Sequence, residues 1–314
     1  MDRNSQTGDG NRPLEAAWEE HRRYLLNIAY RLLGSLNEAE DMVQEAYVRL
    51  MRSDVDAIDD VRGWLVVVTT RICLDHLGSA RSRREAKASP WFPEPIVQTK
   101  GHEGDPADIV ILDESVRMAL LIVLERLKPA QRVVFVLHDV FQYSFDEIAP
   151  MVDRSPAACR QLASRARRRM SAENQPPQES GDPEEMRRVA ERFIAACAGT
   201  DLQPLLDVLD PAVVGWVDLG RITSAIPQPA VGAAQVATGE MRFFGPASRA
   251  RLSLAVVNGE TGIIASVRGR PAAVMVFNVR NAVITAVYAI ADPEKLARIV
   301  GHWETRDGEV QMLR

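Results

Sequence analysis

The sequence predicts a multidomain chain of two all-α domains followed by an α+β domain. Residues 14–88 and 109–173 carry apolar side chains at helical spacing, interrupted by capping residues. Residues 184–314 begin the same way, then change to short strand-like runs bounded by turn dipeptides. Two stretches rich in proline and polar residues, 89–108 and 174–183, read as linkers. Residues 1–13 are polar and read as a disordered tail. At 314 residues, the chain is long enough for two or three domains, each with its own core.

Composition excludes several classes. Apolar residues make up 46% and charged residues 26%, which is ordinary for globular protein. No apolar run reaches the roughly 18 residues a membrane-spanning helix needs, and the polar start lacks a signal-peptide core. Cys73, Cys159 and Cys197 are widely spaced and form no C-x-x-C pair. They argue for a reducing, cytoplasmic compartment and against a disulfide framework or zinc knuckle. His21, His76, His102, His138 and His302 show no ligand spacing with them, so no metal or cofactor is expected. Residues 14–89 hold eleven basic and thirteen acidic side chains, 109–173 ten and eight, and 184–314 fourteen of each. No block is broadly basic, so contact with a polyanion would be local or assisted by a larger partner.

In the first block, Leu14, Trp18, His21, Leu25, Ile28 and Leu32 step at helical spacing, with Gly34 as the expected C-cap. Asn37 is the expected start of a second helix, whose acidic first turn suits the helix dipole. Met42, Ala46, Arg49 and Leu50 fall on one side of it. Asp41, Gln44, Glu45 and Val48, at i, i+3, i+4 and i+7, fall on another. After a polar loop at 53–60, residues 64–77 are the expected third helix, largely buried, running out into a basic patch at 79–87. Within the linker, Trp91 and Phe92 are unexpected, because large aromatic side chains are normally buried against something.

Residues 154–170 carry six arginines and no acid in a chain whose formal net charge is −5. Ser155 is the expected N-cap and Pro156 suits the first turn. Cys159, Ala163, Ala166 and Met170 make one apolar stripe, and Arg160, Gln161, Ser164, Arg165, Arg167 and Arg168 occupy much of the rest. The charge run alone fits either a solvated basic helix end or a helix that meets polyanion. For the second, arginine's planar fork suits guanine edges and phosphates. Upstream, residues 127–138 read as a turn and an apolar helix. Residues 143–149 read as a short helix with Ser144 and Glu147 as a capping box. Helix, short helix, turn and basic helix is the helix-turn-helix layout, and this tips the reading to DNA binding.

In the last block, residues 186–198 and 202–209 are expected helices. Residues 213–217, 250–257, 263–267, 273–279 and 282–290 are expected strands. Asn258-Gly259 is a strong hairpin signal and Arg280-Asn281 a second turn. Helices followed by a meander predict a curved sheet with helices.

These residues carry a resemblance. Residues 14–173 resemble an extracytoplasmic-function sigma factor of bacterial RNA polymerase. Residues 39–49, Ala-Glu-Asp-Met-Val-Gln-Glu-Ala-Tyr-Val-Arg, are similar to that family's region 2 motif. Arg62-Gly-Trp-Leu65 with Asp75-His-Leu77 resembles the part that follows, and the stretch from Leu127-Lys-Pro-Ala-Gln-Arg132 onward resembles region 4. The resemblance implies two all-α sigma domains, a helical region 2 and a helix-turn-helix region 4. Its implied partners are core RNA polymerase, through the clamp coiled coil and flap, and promoter DNA. By the same carry-over Asp41, Gln44, Glu45 and Val48 dock on polymerase. Arg62, Trp64, Arg71, Arg81, Arg83 and Arg84 serve the −10 element, where a base is flipped and phosphates are held. Arg160, Gln161, Ser164, Arg165, Arg167 and Arg168 serve the −35 element.

Residues 184–314 resemble the cone-shaped SnoaL-like α+β domain of the nuclear transport factor two superfamily, which a subgroup of these sigma factors carries fused at the C-terminus. Trp91-Phe92-Pro93-Glu94-Pro95 is similar to that subgroup's linker motif, and Asp292-Pro293-Glu294-Lys295-Leu296 resembles its N-P-D-K-L motif. Its D-G-G-G-K motif is poorly kept; Asp218-Leu-Gly-Arg221 is the nearest stretch. The resemblance implies regulation of the sigma domains by contact between tail and linker, with a small-molecule ligand in the tail pocket as a further partner. The alternative is an isomerase- or cyclase-type enzyme or a ligand sensor fused to a DNA-binding module, with Trp216, Asp218, Tyr288 and His302 as candidate groups. The apolar expected strands disfavour catalysis, so no catalytic residue is assigned.

Overall fold

The computed structural model describes residues 12–54, 57–79, 92–98, 117–172, 182–220 and 228–304. Arg81, Arg83, Arg84, Trp91, most of the polar tail, the rest of the first linker and most of the second lie outside the described residues, as does Arg221. The chain divides into two compact units. Among described residues the first unit takes 12–79 and 124–172. The second takes 92–98, 117–123 and everything from 182 onward.

The first unit is all-α. Helices α1 (Arg12–Leu33), α2 (Leu36–Met51) and α3 (Val61–Gly78) pack pairwise. Gly34 ends α1 at φ 72°, a left-handed conformation that glycine adopts without a Cβ penalty. The N-cap of α2 is Ser35, whose hydroxyl accepts from the Glu38 N–H, not the expected Asn37. The buried face is Leu36, Ala39, Val43, Ala46 and Leu50, so of the expected side Ala46 and Leu50 are buried, Met42 is half-buried and Arg49 is exposed. Asp60 caps α3 in the same way.

Past α4 (Met118–Leu124), helix α5 (Pro129–Phe135) runs on as a single π turn (Val136–Val140). Helices α6 (Phe145–Met151) and α7 (Pro156–Ala172) follow. Ser144 and Glu147 form the expected capping box, and these hydrogen bonds hold the Glu147 carboxyl below the usual range. Arg132, nearly fully buried, donates twice to Glu125 at 2.8 and 2.9 Å and once to the Leu32 carbonyl at 2.9 Å. That last bond satisfies a terminal carbonyl of α1.

The second unit is α+β. Helices α8 (Pro183–Ala198) and α9 (Gln203–Leu206) lead into strand β2 (Leu209–Asp218). Strand β3 (Ala230–Val231), helix α10 (Ala233–Phe244), strands β4 (Ala250–Val257), β5 (Glu260–Val267), β6 (Arg270–Arg280) and β7 (Val283–Ile290), and helix α11 (Pro293–Glu304) complete it. Strand β1 (Val97–Gln98) comes from the expected linker, so the sheet has seven strands in the order β1-β4-β5-β6-β7-β2-β3. The neighbours are antiparallel except β2 and β7.

One face of the sheet builds an apolar core with α8 to α10, including Phe193, Val213, Val236, Met275 and Phe277. The other buries Phe92, Met118, Ile122, Val274, Tyr288, Leu296 and Ile299. Asn258 and Gly259, at φ 51° and 80°, make the expected tight turn. The second turn lies one residue later than expected, at Asn281-Ala282, both with positive φ. The expected helix at 202–209 is a single turn, because the chain enters β2 at Leu209. Among the described residues no helix is long and apolar enough to cross a membrane.

Candidate functional sites

On α2, Asp41 and Gln44 are exposed and Glu45 and Val48 half-buried, all on the side opposite the packed face. Glu45 pairs with Arg49 at 2.9 Å, an exposed pair of small energetic weight. The four expected docking residues therefore form one outward surface of three polar groups and an aliphatic side chain.

At the start of α3, Arg62 lies over the Tyr24 ring at 4.5 Å, and Trp64 is half-buried. Tyr24 in turn donates to the Tyr143 hydroxyl at 3.1 Å. Arg71 is exposed yet donates to the Pro150 carbonyl at 2.7 Å. Of the described −10 candidates, Arg71 thus touches the helix-turn-helix block within the same unit, and Arg62 is linked to it through Tyr24.

The apolar stripe of α7 is buried as its spacing requires: Cys159, Ala163, Ala166 and Met170. Arg160, Gln161, Ser164, Arg165, Arg167 and Arg168 are all exposed. Arg160 sits 5.8 Å from the Phe145 ring centre. Arg167 pairs through Nε with Asp139 of the π turn at 2.7 Å, which leaves the two terminal nitrogens of its fork turned to solvent or a ligand.

The second unit gathers the motif residues of linker and tail. Phe92 is 1% exposed and packs edge-on against Tyr288 at 5.7 Å. Its N–H donates to Asp218 Oδ2 at 3.3 Å, and the same oxygen accepts from Lys295 Nζ at 2.5 Å. Pro93, Glu94 and Pro95 are buried, and Glu94 faces Arg298 at 3.7 Å. Asp292 caps α11 by accepting from the Glu294 N–H, and Leu296 is buried below it. Pro293 is exposed on the first turn of α11. Gly220 has φ +57°, and a Cβ there would lie 2.3 Å from the Asp292 carboxyl, so this position of the poorly kept motif still requires glycine. Downstream, Ile96 exchanges hydrogen bonds with Asn258, and Val97 and Gln98 pair with Val257 and Val256. Arg117, at the start of α4, pairs with Glu260 at 3.1 Å.

Models of sigma-70 region 2 and sigma-70 region 4 match residues 17–83 and 117–170. The chain is 41% identical over 291 residues to the "Probable ECF RNA polymerase sigma factor SigI" of Mycobacterium tuberculosis, covering 90% of this chain and 95% of that one. The chain belongs to the extracytoplasmic-function RNA polymerase sigma factors. A second relative, SigJ of Mycobacterium tuberculosis, is 38% identical over 88% of this chain and 91% of its own. The crystal structure of SigJ is similar at a TM-score of 0.72 and 34% identity, covering 90% of this sigma factor and 98% of that chain. These relatives are transcription initiation factors rather than enzymes.

The geometry of this sigma factor agrees with that class. Of the candidate groups for catalysis, Asp218 is held by Lys295 and the Phe92 N–H, and Tyr288 is covered by Phe92. His302 lies in α11, where its side chain is outside the described residues. Among the described residues no cluster of three or more His, Cys, Asp or Glu is suited to a metal. Sequence reasoning missed Ile96, Asn258, Arg298, Met118 and Ile122 as partners of this region. Asn258 had a signal, but its turn role accounted for it fully.

Proposed function

We propose that this sigma factor docks on core RNA polymerase through Asp41, Gln44, Glu45 and Val48. Arg62, Trp64, Arg71, Arg81, Arg83 and Arg84 engage the −10 element, and Arg160, Gln161, Ser164, Arg165, Arg167 and Arg168 the −35 element. The C-terminal domain is an attached regulator, and the protein acts in the cytoplasm beside the polymerase. The observation that carries the regulatory part is the capture of Phe92 by Asp218, Lys295 and Tyr288. Tethering keeps the domain's local concentration high, so a modest contact suffices.

Run-off transcription with core polymerase and the full chain tests this. Asp41→Ala with Gln44→Ala is expected to abolish core binding, and Arg160→Ala to lower promoter-specific transcript. Phe92→Ala is expected to change transcript yield at equal polymerase binding, its sign giving the direction of control. An unchanged yield would remove the regulatory reading and leave the sigma assignment standing.

A further inference from the structure

We infer that the inner face of the C-terminal sheet holds a site for a small, uncharged amphipathic molecule whose polar head hydrogen-bonds to Glu240. Its regulatory meaning rests on the reading of this domain as an attached regulator; the binding itself does not.

Val236, Ala237 and Glu240 share the buried side of α10, which packs on β2, α8 and β4. Glu240 is only 9% exposed, and its Oε2 is fully enclosed. Oε2 has no hydrogen bond or ion pair with the described protein, whereas Oε1 is not enclosed. Buried carboxyl groups are normally hydrogen-bonded, because an unmet polar atom in an apolar setting is costly. An acid on the inner, apolar side of a sheet with one oxygen enclosed and unsatisfied is therefore a head waiting for a complement.

The surroundings supply the apolar half of that complement. Leu252 and Leu254 of β4 and Met241 and Phe244 of α10 pack against the inner core yet stay partly open. By strand alternation Val256 lies in the row of Leu252 and Leu254, and it is 37% exposed. Apolar side chains of an inner sheet face are ordinarily covered, so this row, on a strand that packs against the helix bearing the acid, and the end of that helix are partly open apolar surface.

The head group follows from charge. Lys295, the buried lysine of this unit among the described residues, is committed to Asp218, so no buried lysine is left to pair with an anionic head. Burial lifts the Glu240 carboxyl to about 8, so it is neutral at pH 7 and offers one O–H donor and one carbonyl acceptor. The neighbouring Cys197 thiol is pushed up to about 12 by burial and by Glu240, and stays protonated. A neutral donor–acceptor such as an alcohol matches this pair of groups.

The test is calorimetric titration of the full chain at pH 6.5 with three probes sharing an eight-carbon tail: 1-octanol, octanoate and octylammonium. Octanol is expected to bind at least about tenfold more tightly than octanoate. Glu240→Leu is expected to weaken octanol by about tenfold, while Glu240→Gln, which keeps a donor and an acceptor, holds it within about threefold. Absence of octanol binding, equal octanol binding by Glu240→Leu, or a preference for octylammonium overturns the proposal. The wild-type ranking decides even if the leucine variant does not fold. A failed titration leaves the transcriptional effect of Phe92→Ala untouched, so the two readings fail separately.

Discussion

Asn258 holds both backbone polar groups of Ile96: its Oδ1 accepts from the Ile96 N–H at 3.0 Å, and its own N–H donates to the Ile96 carbonyl at 2.8 Å. Asn258 also occupies the left-handed first position of the β4–β5 turn, at φ 51°. One side chain thus serves a turn it needs for local reasons and a grip 162 residues away. Asn258→Gly keeps the turn and removes the side-chain acceptor. It should cost about 1–3 kcal/mol for the unmet Ile96 N–H and raise amide exchange across 92–98. Asn258→Ala should cost about 1 kcal/mol more through backbone strain. Equal exchange in Asn258→Gly and wild type would mean that the side chain does not hold the segment.

The Lys295–Asp218 pair is buried on both sides. Lys295→Met strands a carboxylate, and the expected loss is about 3–5 kcal/mol. Adding Asp218→Leu should recover a large part of it, since both charges are then gone. Thermal melts of the four full-length proteins measure this, and simple additivity would contradict a direct pairing.

Glu240 sets a pH dependence. Burial lifts its folded carboxyl to about 8, while its unfolded carboxyl stays near the ordinary 4.5, so between these values the folded state binds more protons. Stability is therefore full below about 4.5 and falls as pH rises through about 8. Glu240→Gln should flatten the melting-temperature profile between pH 5 and 8.5 relative to wild type.

Ala282 sits at φ 59° in the β6–β7 turn without the glycine such a position favours. Ala282→Gly should stabilise the chain by about 1 kcal/mol, visible as a higher melting temperature. A drop would mean that chain entropy outweighs the strain.

Arg168 is exposed on α7 with no partner among the described residues, whereas Arg167 is tied to Asp139. Arg168→Ala should weaken −35 binding evenly across sequences and reduce the salt slope by about 1. Arg160→Ala should cost about 1–3 kcal/mol and relax preference at one base position. The same loss on every base for both variants would make Arg160 a phosphate contact.

The helices were legible because their signals are local. Ser144 with Glu147, and Cys159 with Ala163, Ala166 and Met170, lie within a few residues of one another, and the structure uses them as spacing predicts. The strand at Val97 was not legible, since two residues carry no alternation and the pairing partner is Val257. Helix α10 was missed because Gly232 at its N-cap and Gly239 within it weaken the pattern, and the buried Glu240 breaks its apolar stripe. Phe92 was suspected on size alone. That Asp218 and Lys295 receive it depends on β2 ending where α11 begins, a coincidence of topology that no spacing encodes.

The long span between Ile96 and Asn258 has a consequence in time. At about 5–20 residues per second of synthesis, the 162 positions between them take on the order of ten to thirty seconds to emerge. Both sigma regions are complete before β4 exists, and β7 and α11 leave the ribosome later still. Every newly made chain therefore passes through an interval in which residues 92–98 are bare, and the restraint on the linker is a property the protein acquires only with age.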